Sequence, residues 1–104
     1  MIYVFHADRN ITRDTFMYDK GFEVDADSIK DRFTDGMYTL VAIVDLESFE
    51  EAFEATNHIV EDWPRNDMVQ AVGGNQQRST SVGDVMIKGN EAVIVAPMGF
   101  DPLP

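Results

Sequence analysis

Apolar residues recur along the chain with two different periods. From Met37 to Val44 the run Met-Tyr-Thr-Leu-Val-Ala-Ile-Val is almost uninterrupted and rich in β-branched and aromatic side chains, which predicts a strand ended by Asp45. Leu40, Ala42 and Val44 share one face of that strand, while Tyr38, Val41 and Ile43 fall unevenly across the two-residue repeat, as in a central strand. Ile2 to His6 is a shorter run without polar alternation and predicts a first strand covered on both faces. Between Asp45 and Glu61 the period changes to three and four. Leu46, Phe49, Phe53, Thr56 and Val60, flanked by Ala52 and Ile59, form one stripe and predict a principal helix at about 46–61. Asp45 can cap it, or Ser48 with Glu51 can form a capping box one turn later, and Glu47 suits the positive end of the helix dipole.

The remaining segments read as connections and a hairpin. Thr12 can cap a short helical turn through Lys20, with Phe16 inward and Gly21 ending it. Asp25, Asp27 and Ser28 offer caps for a second short helix through Phe33, and Thr34-Asp35-Gly36 supplies a turn. Trp63-Pro64-Arg65-Asn66 stops the principal helix, a short strand follows from Met68 to Val72, and Gly73 to Gln77 is a loop. Arg78 to Phe100 then reads as a hydroxyl-rich loop, a Val-Gly-Asp turn, a strand, a tight Lys88-Gly89-Asn90 turn and a second apolar strand. It is a C-terminal β-hairpin, after which Phe100 returns to plug the core. The prediction is a single α+β domain spanning 1–104, with a four- or five-stranded antiparallel or mixed sheet. A chain of 104 residues buries roughly two-thirds of its unfolded surface, enough for a core without staples.

Composition narrows the chemistry. The absence of cysteine excludes disulfides, a thiol nucleophile and Cys-based metal centres. Eight Lys plus Arg against 19 Asp plus Glu give a net charge of −11, which opposes direct binding to nucleic acid or to an anionic membrane and favours either simple solubility, the more ordinary reading, or a basic protein partner. The opening Met-Ile-Tyr-Val-Phe-His-Ala-Asp lacks a basic leader and a long apolar run, so the expectation is a soluble, unexported, cytoplasmic protein.

Arg78-Ser79-Thr80-Ser81-Val82-Gly83-Asp84-Val85, with Gly99-Phe100 about fifteen residues on, resembles the C-terminal signature of YodL-like domains and related small proteins of phages, plasmids and other mobile elements. The upstream order is also similar: a strand ending in Val44-Asp45, a helix carrying Glu51-Ala52-Phe53 and Thr56-Asn57-His58-Ile59, then Trp63 and Asn66. The resemblance covers about residues 37–100. It implies a small α+β domain of a phage or mobile element acting inside a bacterial host, and it implies no established activity.

Two stretches are candidate binding surfaces. Arg78, Ser79, Thr80 and Ser81 can present donors to an anionic group, with Gly83 allowing close backbone approach and Asp84 orienting the loop; the alternative is that the same groups fix the approach to the hairpin. The second stretch is the acidic helix face. Between Arg32 and Arg65 the chain carries eight carboxylates and no Lys or Arg. Glu47/Glu51 and Glu50/Glu54 are like-charged pairs one turn apart, which repel. That face is either solvated or serves a basic partner, including as a mimic of DNA phosphates. Glu54, His58 and Glu61 could share a metal, which would make the protein a metal-dependent enzyme, but no catalytic residue and no cofactor is assigned. A virion component assembling through an exposed edge strand at 2–6 or 91–96 is a further possibility. The leading expectation is a non-catalytic accessory protein that binds a host or element-encoded protein.

Overall fold

A computed structural model describes residues 1–7, 26–57, 63, 67–73, 78–96 and 99–104. The turn expected from Thr12 to Lys20 lies outside these residues. Six strands, β1 (Ile2–Ala7), β2 (Tyr38–Val44), β3 (Val69–Ala71), β4 (Val85–Lys88), β5 (Glu91–Val95) and β6 (Phe100–Pro102), form one open sheet in the order β3-β2-β1-β4-β5-β6. Every pairing is antiparallel. Helix α1 (Ala26–Thr34) and helix α2 (Phe49–Ala55) complete the described α+β fold.

The absence of polar alternation in β1 has a direct cause, because both faces of the sheet are covered. On one face Ile2, Val4, Ala42, Val44 and Met86 pack with Ala52 of α2 and with Trp63, and Phe49 and Phe53 lie against them. On the other, Ala7, Tyr38, Val85 and Ile94 pack with Ile29 of α1, bordered by Phe5 and Phe33. The Phe33 ring sits edge-on to Phe5 at 5.1 Å and tilted against Tyr38 at 5.5 Å, arrangements that aromatic quadrupoles favour.

The uneven period in β2 marks an irregularity. Val4 pairs with Ala42 but Phe5 pairs with Leu40, so the register slips between them and Val41 is the extra residue. Paired residues share a face, and an extra residue inverts the alternation beyond it. Ala42 and Val44 therefore face α2, whereas Leu40 stands opposite Phe5 on the α1 side. This corrects the expectation that Leu40, Ala42 and Val44 share one face.

Helix α2 is shorter than the stripe of apolar residues suggests. It starts at Phe49 because Ser48, extended at φ −113° and ψ 151°, accepts from the Glu51 amide at 3.1 Å, and its hydroxyl donates to the Glu51 carboxylate at 3.0 Å. Asp45 is not the cap. Its amide instead donates to the Met68 carbonyl at 2.8 Å, prolonging the β2–β3 ladder. At the other end Thr56 leaves helical geometry while its hydroxyl donates to the Ala52 carbonyl at 2.8 Å and its own carbonyl accepts from the Thr80 amide at 2.9 Å. The remainder of the expected helix, 58–61, lies outside the described residues.

The hairpin forms as expected, with Lys88 paired to Glu91 across Gly89-Asn90. Gly89 has φ +58°, the left-handed backbone that a two-residue hairpin turn demands of its first residue. The sheet has one strand more than the four or five expected, because Phe100–Pro102 pairs with Val93–Val95. Both β1 and β5 are interior, so neither 2–6 nor 91–96 is an exposed edge. The edges are β3 and β6, three residues each, and Pro102 removes a donor from β6, which discourages pairing with another chain.

Phe100 is half-buried and holds β6 to α2, its ring centroid 6.0 Å from Phe49 and 6.3 Å from Phe53. Phe100→Ala is expected to lower stability by about 2 kcal/mol, below the roughly 3–5 kcal/mol of a fully buried aromatic truncation because the ring is only half-buried, in urea unfolding followed by circular dichroism. An unchanged midpoint would show that β6 contributes nothing to the domain.

Candidate functional site

The hydroxyl-rich loop before β4 folds around one carboxylate. Ser81 to Asp84 form a tight turn in which the Asp84 amide donates to the Ser81 carbonyl at 3.0 Å, with Gly83 at φ +95°, a backbone angle that a type II turn requires at its third residue. The turn directs the Asp84 side chain into the protein, where its exposure is 0%. Four donors meet it there. Oδ1 accepts from the Ala7 amide at 2.9 Å and from Arg78 Nη2 at 2.7 Å. Oδ2 accepts from the Ser81 amide at 2.8 Å and from Arg78 Nη1 at 2.7 Å. A carboxylate offers about four acceptor positions, so Asp84 is saturated.

Arg78 is engaged almost as fully. Besides its two-pronged grip on Asp84, Nη2 donates to the Ala7 carbonyl at 3.1 Å, and Nη1 lies within reach of the Ser79 carbonyl and the Ser81 hydroxyl. Its own carbonyl accepts from the Trp63 indole at 2.7 Å. Burial alone would lower the Arg78 pKa, but the hydrogen bonds and charge of Asp84 outweigh it and raise the pKa above its ordinary value. The guanidinium therefore stays charged and paired, although its side chain is 40% exposed.

Next to this clamp runs a directed chain of hydrogen bonds. His6 Nε2 lies 2.9 Å from the Thr80 hydroxyl, which donates to the Thr56 hydroxyl at 2.8 Å, which donates to the Ala52 carbonyl at 2.8 Å. A carbonyl only accepts, so each hydroxyl proton points toward Ala52 and Thr80 must receive its bond from His6. This fixes the neutral imidazole with its proton on Nε2. Burial lowers the His6 pKa from 6.5 to about 4, the Asp84 charge opposing and the Arg78 charge assisting. The ring is edge-on to Trp63 at 6.2 Å. Tyr38 closes the other side by donating to the Gly83 carbonyl at 2.7 Å, and burial followed by the Asp84 charge pushes its phenol above the usual range.

The structure thus brings Arg78, Ser81, Gly83 and Asp84 together and buries Thr80 beside them, with their polar groups turned toward one another, β1 and α2. His6, Tyr38, Thr56 and Trp63 belong to the same assembly. Sequence reading did not include them in it, although Thr56 inside the apolar stripe and His6 inside an apolar strand were visible polar exceptions.

The second candidate, the acidic face, is divided by the structure. Lys88 donates to the Glu47 carbonyl at 2.6 Å and stands 3.7 Å from its carboxylate, and Glu51 belongs to the Ser48 cap. Glu50 and Glu54 are exposed on α2, and among the described residues no cation pairs with them. They flank a groove of about 360 Å³ whose other walls, among the described residues, are Phe53, Val95, Ala96, Gly99 and Phe100. Of the expected metal trio, His58 and Glu61 lie outside the described residues. Among those described, no three His, Asp or Glu side chains group as metal ligands, and no described helix is long and apolar enough to cross a membrane.

Arg78→Ala would leave the Asp84 carboxylate buried without its counter-charge, and a loss of about 3–5 kcal/mol is expected. Arg78→Lys, which keeps the charge but not the two-pronged geometry, should lose less, and equal melting of all three proteins would show the clamp to be idle. Acidification acts through His6. Between about pH 6.5 and pH 4 the unfolded chain protonates this residue while the folded chain resists, so stability falls as pH drops through that window, by about 3 kcal/mol once pH reaches the folded value. Comparing His6→Gln with the native chain in urea at pH 7, 5.5 and 4.5 isolates the effect, because the native protein should lose the additional stability. Parallel curves would refute it. Comparison of the chain with family models, with curated proteins and with solved structures finds no match.

Proposed function

We propose that this chain is a small accessory protein of a phage or mobile element that acts by binding a host or element-encoded protein through the exposed face of α2, without catalysis. One observation carries the reading: Glu50 and Glu54 repel each other across one helical turn, have no internal counter-charge among the described residues, and border an apolar groove. Repulsion of this kind costs a few tenths of a kcal/mol; Glu50 lies in the first turn, where the helix dipole favours a carboxylate, but Glu54 lies near the negative end of the helix and gains nothing there, whereas a basic partner would turn the repulsion into attraction. The Arg78 to Asp84 loop supports the same assignment by elimination, since its donors and acceptors are already engaged within the protein. The phage or mobile-element setting rests on the resemblance of that loop and of residues 37–100.

A narrower version is a DNA-mimic inhibitor of a host defence or transcription protein. The net charge of −11 favours it, because a groove built for phosphates attracts carboxylates by the same field.

The test is affinity capture of the tagged protein from bacterial lysate at low and moderate salt, beside the Glu50→Lys, Glu54→Lys variant. Both substitutions are exposed, so folding should be retained, and circular dichroism checks it. A basic protein held by the native chain, released by salt and lost by the variant is the expected result. If the partner also binds nucleic acid and competes with duplex DNA for this chain, the mimic reading follows. Capture of the same partner by both proteins would remove α2 from the interface, and capture of nothing by either would overturn the reading.

A further inference from the structure

Two shallow grooves meet at the end of α2, sharing Glu50 and Phe100, and their charges differ. One, of about 270 Å³, includes Glu47 and Glu91 together with Lys88, so it contains its own cation. The other, of about 360 Å³, has Glu50 and Glu54 on its rim and, among the described residues, no cation in its lining. Its wall is aromatic, Phe53 and Phe100 meeting at 6.3 Å with their planes 74° apart.

From this contrast we infer that the second groove receives an arginine side chain, with an adjoining apolar residue, from a basic segment of the partner protein. The inference rests on the protein-binding reading of α2 and names the chemistry at its centre. A guanidinium is planar and weakly hydrated, stacks on aromatic faces and pairs with carboxylates. The groove offers both surfaces at once, an aromatic wall from Phe53 and Phe100 and two carboxylates one helical turn apart. At the small end of the size range for ligand pockets, it suits one or two side chains. A phosphate-bearing ligand would meet Glu50 and Glu54 as like charges, and a second copy of this chain brings the same net charge of −11. A basic heterologous segment is the occupant that the charges favour.

The probe is the peptide acetyl-Leu-Arg-Leu-Arg-amide, titrated into the ¹⁵N-labelled full chain at low salt, with the same peptide carrying citrulline in place of arginine as the uncharged isostere. The expected result is amide shifts centred on Glu50, Phe53, Glu54, Val95 and Phe100, and binding at least tenfold weaker for the citrulline peptide. The Glu50→Gln, Glu54→Gln variant should also bind the arginine peptide at least tenfold more weakly. An Asp45→Asn, Asp67→Asn variant, which makes the same charge change at exposed positions outside the groove, should bind within about twofold of the native chain. Equal weakening by both variants, or shifts scattered over the acidic surface, would reduce the groove to part of a general field and overturn the inference. Absence of peptide binding would overturn it too. If the lysate experiment still yields a basic partner that depends on Glu50 and Glu54, the surface reading survives alone. If the peptide binds in the groove but no partner is captured, the protein-binding reading fails instead.

Discussion

The structure depends on keeping one charge out of water. Asp84 is fully buried, and an isolated carboxylate in that position would cost several kcal/mol even after relaxation. It is tolerable because two backbone amides and both ends of a guanidinium reach it together, from Ala7 at the end of β1, from Ser81 in the turn and from Arg78 at the start of the loop. Arg78 and Ser81 are local, but Ala7 lies 77 residues from Asp84, so the carboxylate is fully satisfied only when β1, the loop and β4 are assembled. Any structure with the loop detached strands the charge, and this raises the cooperativity of the fold. The same geometry spreads outward through Tyr38 to β2, through Trp63 to the segment after α2, and through Thr80 to the end of α2.

That dependence explains the composition of the loop. Arginine rather than lysine stands at 78 because a planar fork matches both carboxylate oxygens. Glycine stands at 83 because the turn that aims Asp84 inward needs a positive φ. Threonine at 80 is both donor and acceptor in a chain that would be broken by any residue able to do only one. Hydroxyls and charges in a loop suggest a ligand site when read in one dimension. Their partners prove to lie in the protein itself.

The legible parts of the fold were those set by local chemistry. The Ser48 and Glu51 cap, the turn at Gly89 and the apolar run from Met37 to Val44 are properties of a few adjacent residues, and the structure contains each. What was not legible came from contacts across the chain. The displaced register at Val41 leaves only an irregular period in the sequence, and the partner that defines it, β1, is more than thirty residues away. The early end of α2 reflects competition between continuing the helix and bonding Thr80, which no helical periodicity reports. Strand β6 is three residues around an aspartate and a proline, a composition that propensity assigns to a loop and that pairing with β5 overrides. His6 read as an ordinary strand residue because the partners that bury it, Thr80 and Trp63, belong to other segments.

The division of polar groups bears on function. Inside, the Arg78 to Asp84 assembly neutralises itself, one cation to one carboxylate with each oxygen accepting two hydrogen bonds, leaving little capacity to recognise anything else. Outside, of the four carboxylates of the 47–54 stretch, Glu47 and Glu51 have partners among the described residues, Lys88 and Ser48. Glu50 and Glu54 point past those partners on the side where β5 and β6 leave Phe100 half-covered. A surface selected for solubility alone could disperse its charge and cover its aromatic residues. Here, among the described residues, carboxylates without a counter-charge and incompletely covered aromatic area coincide at one place, so that stacking and ion pairing could act there on the same basic side chain.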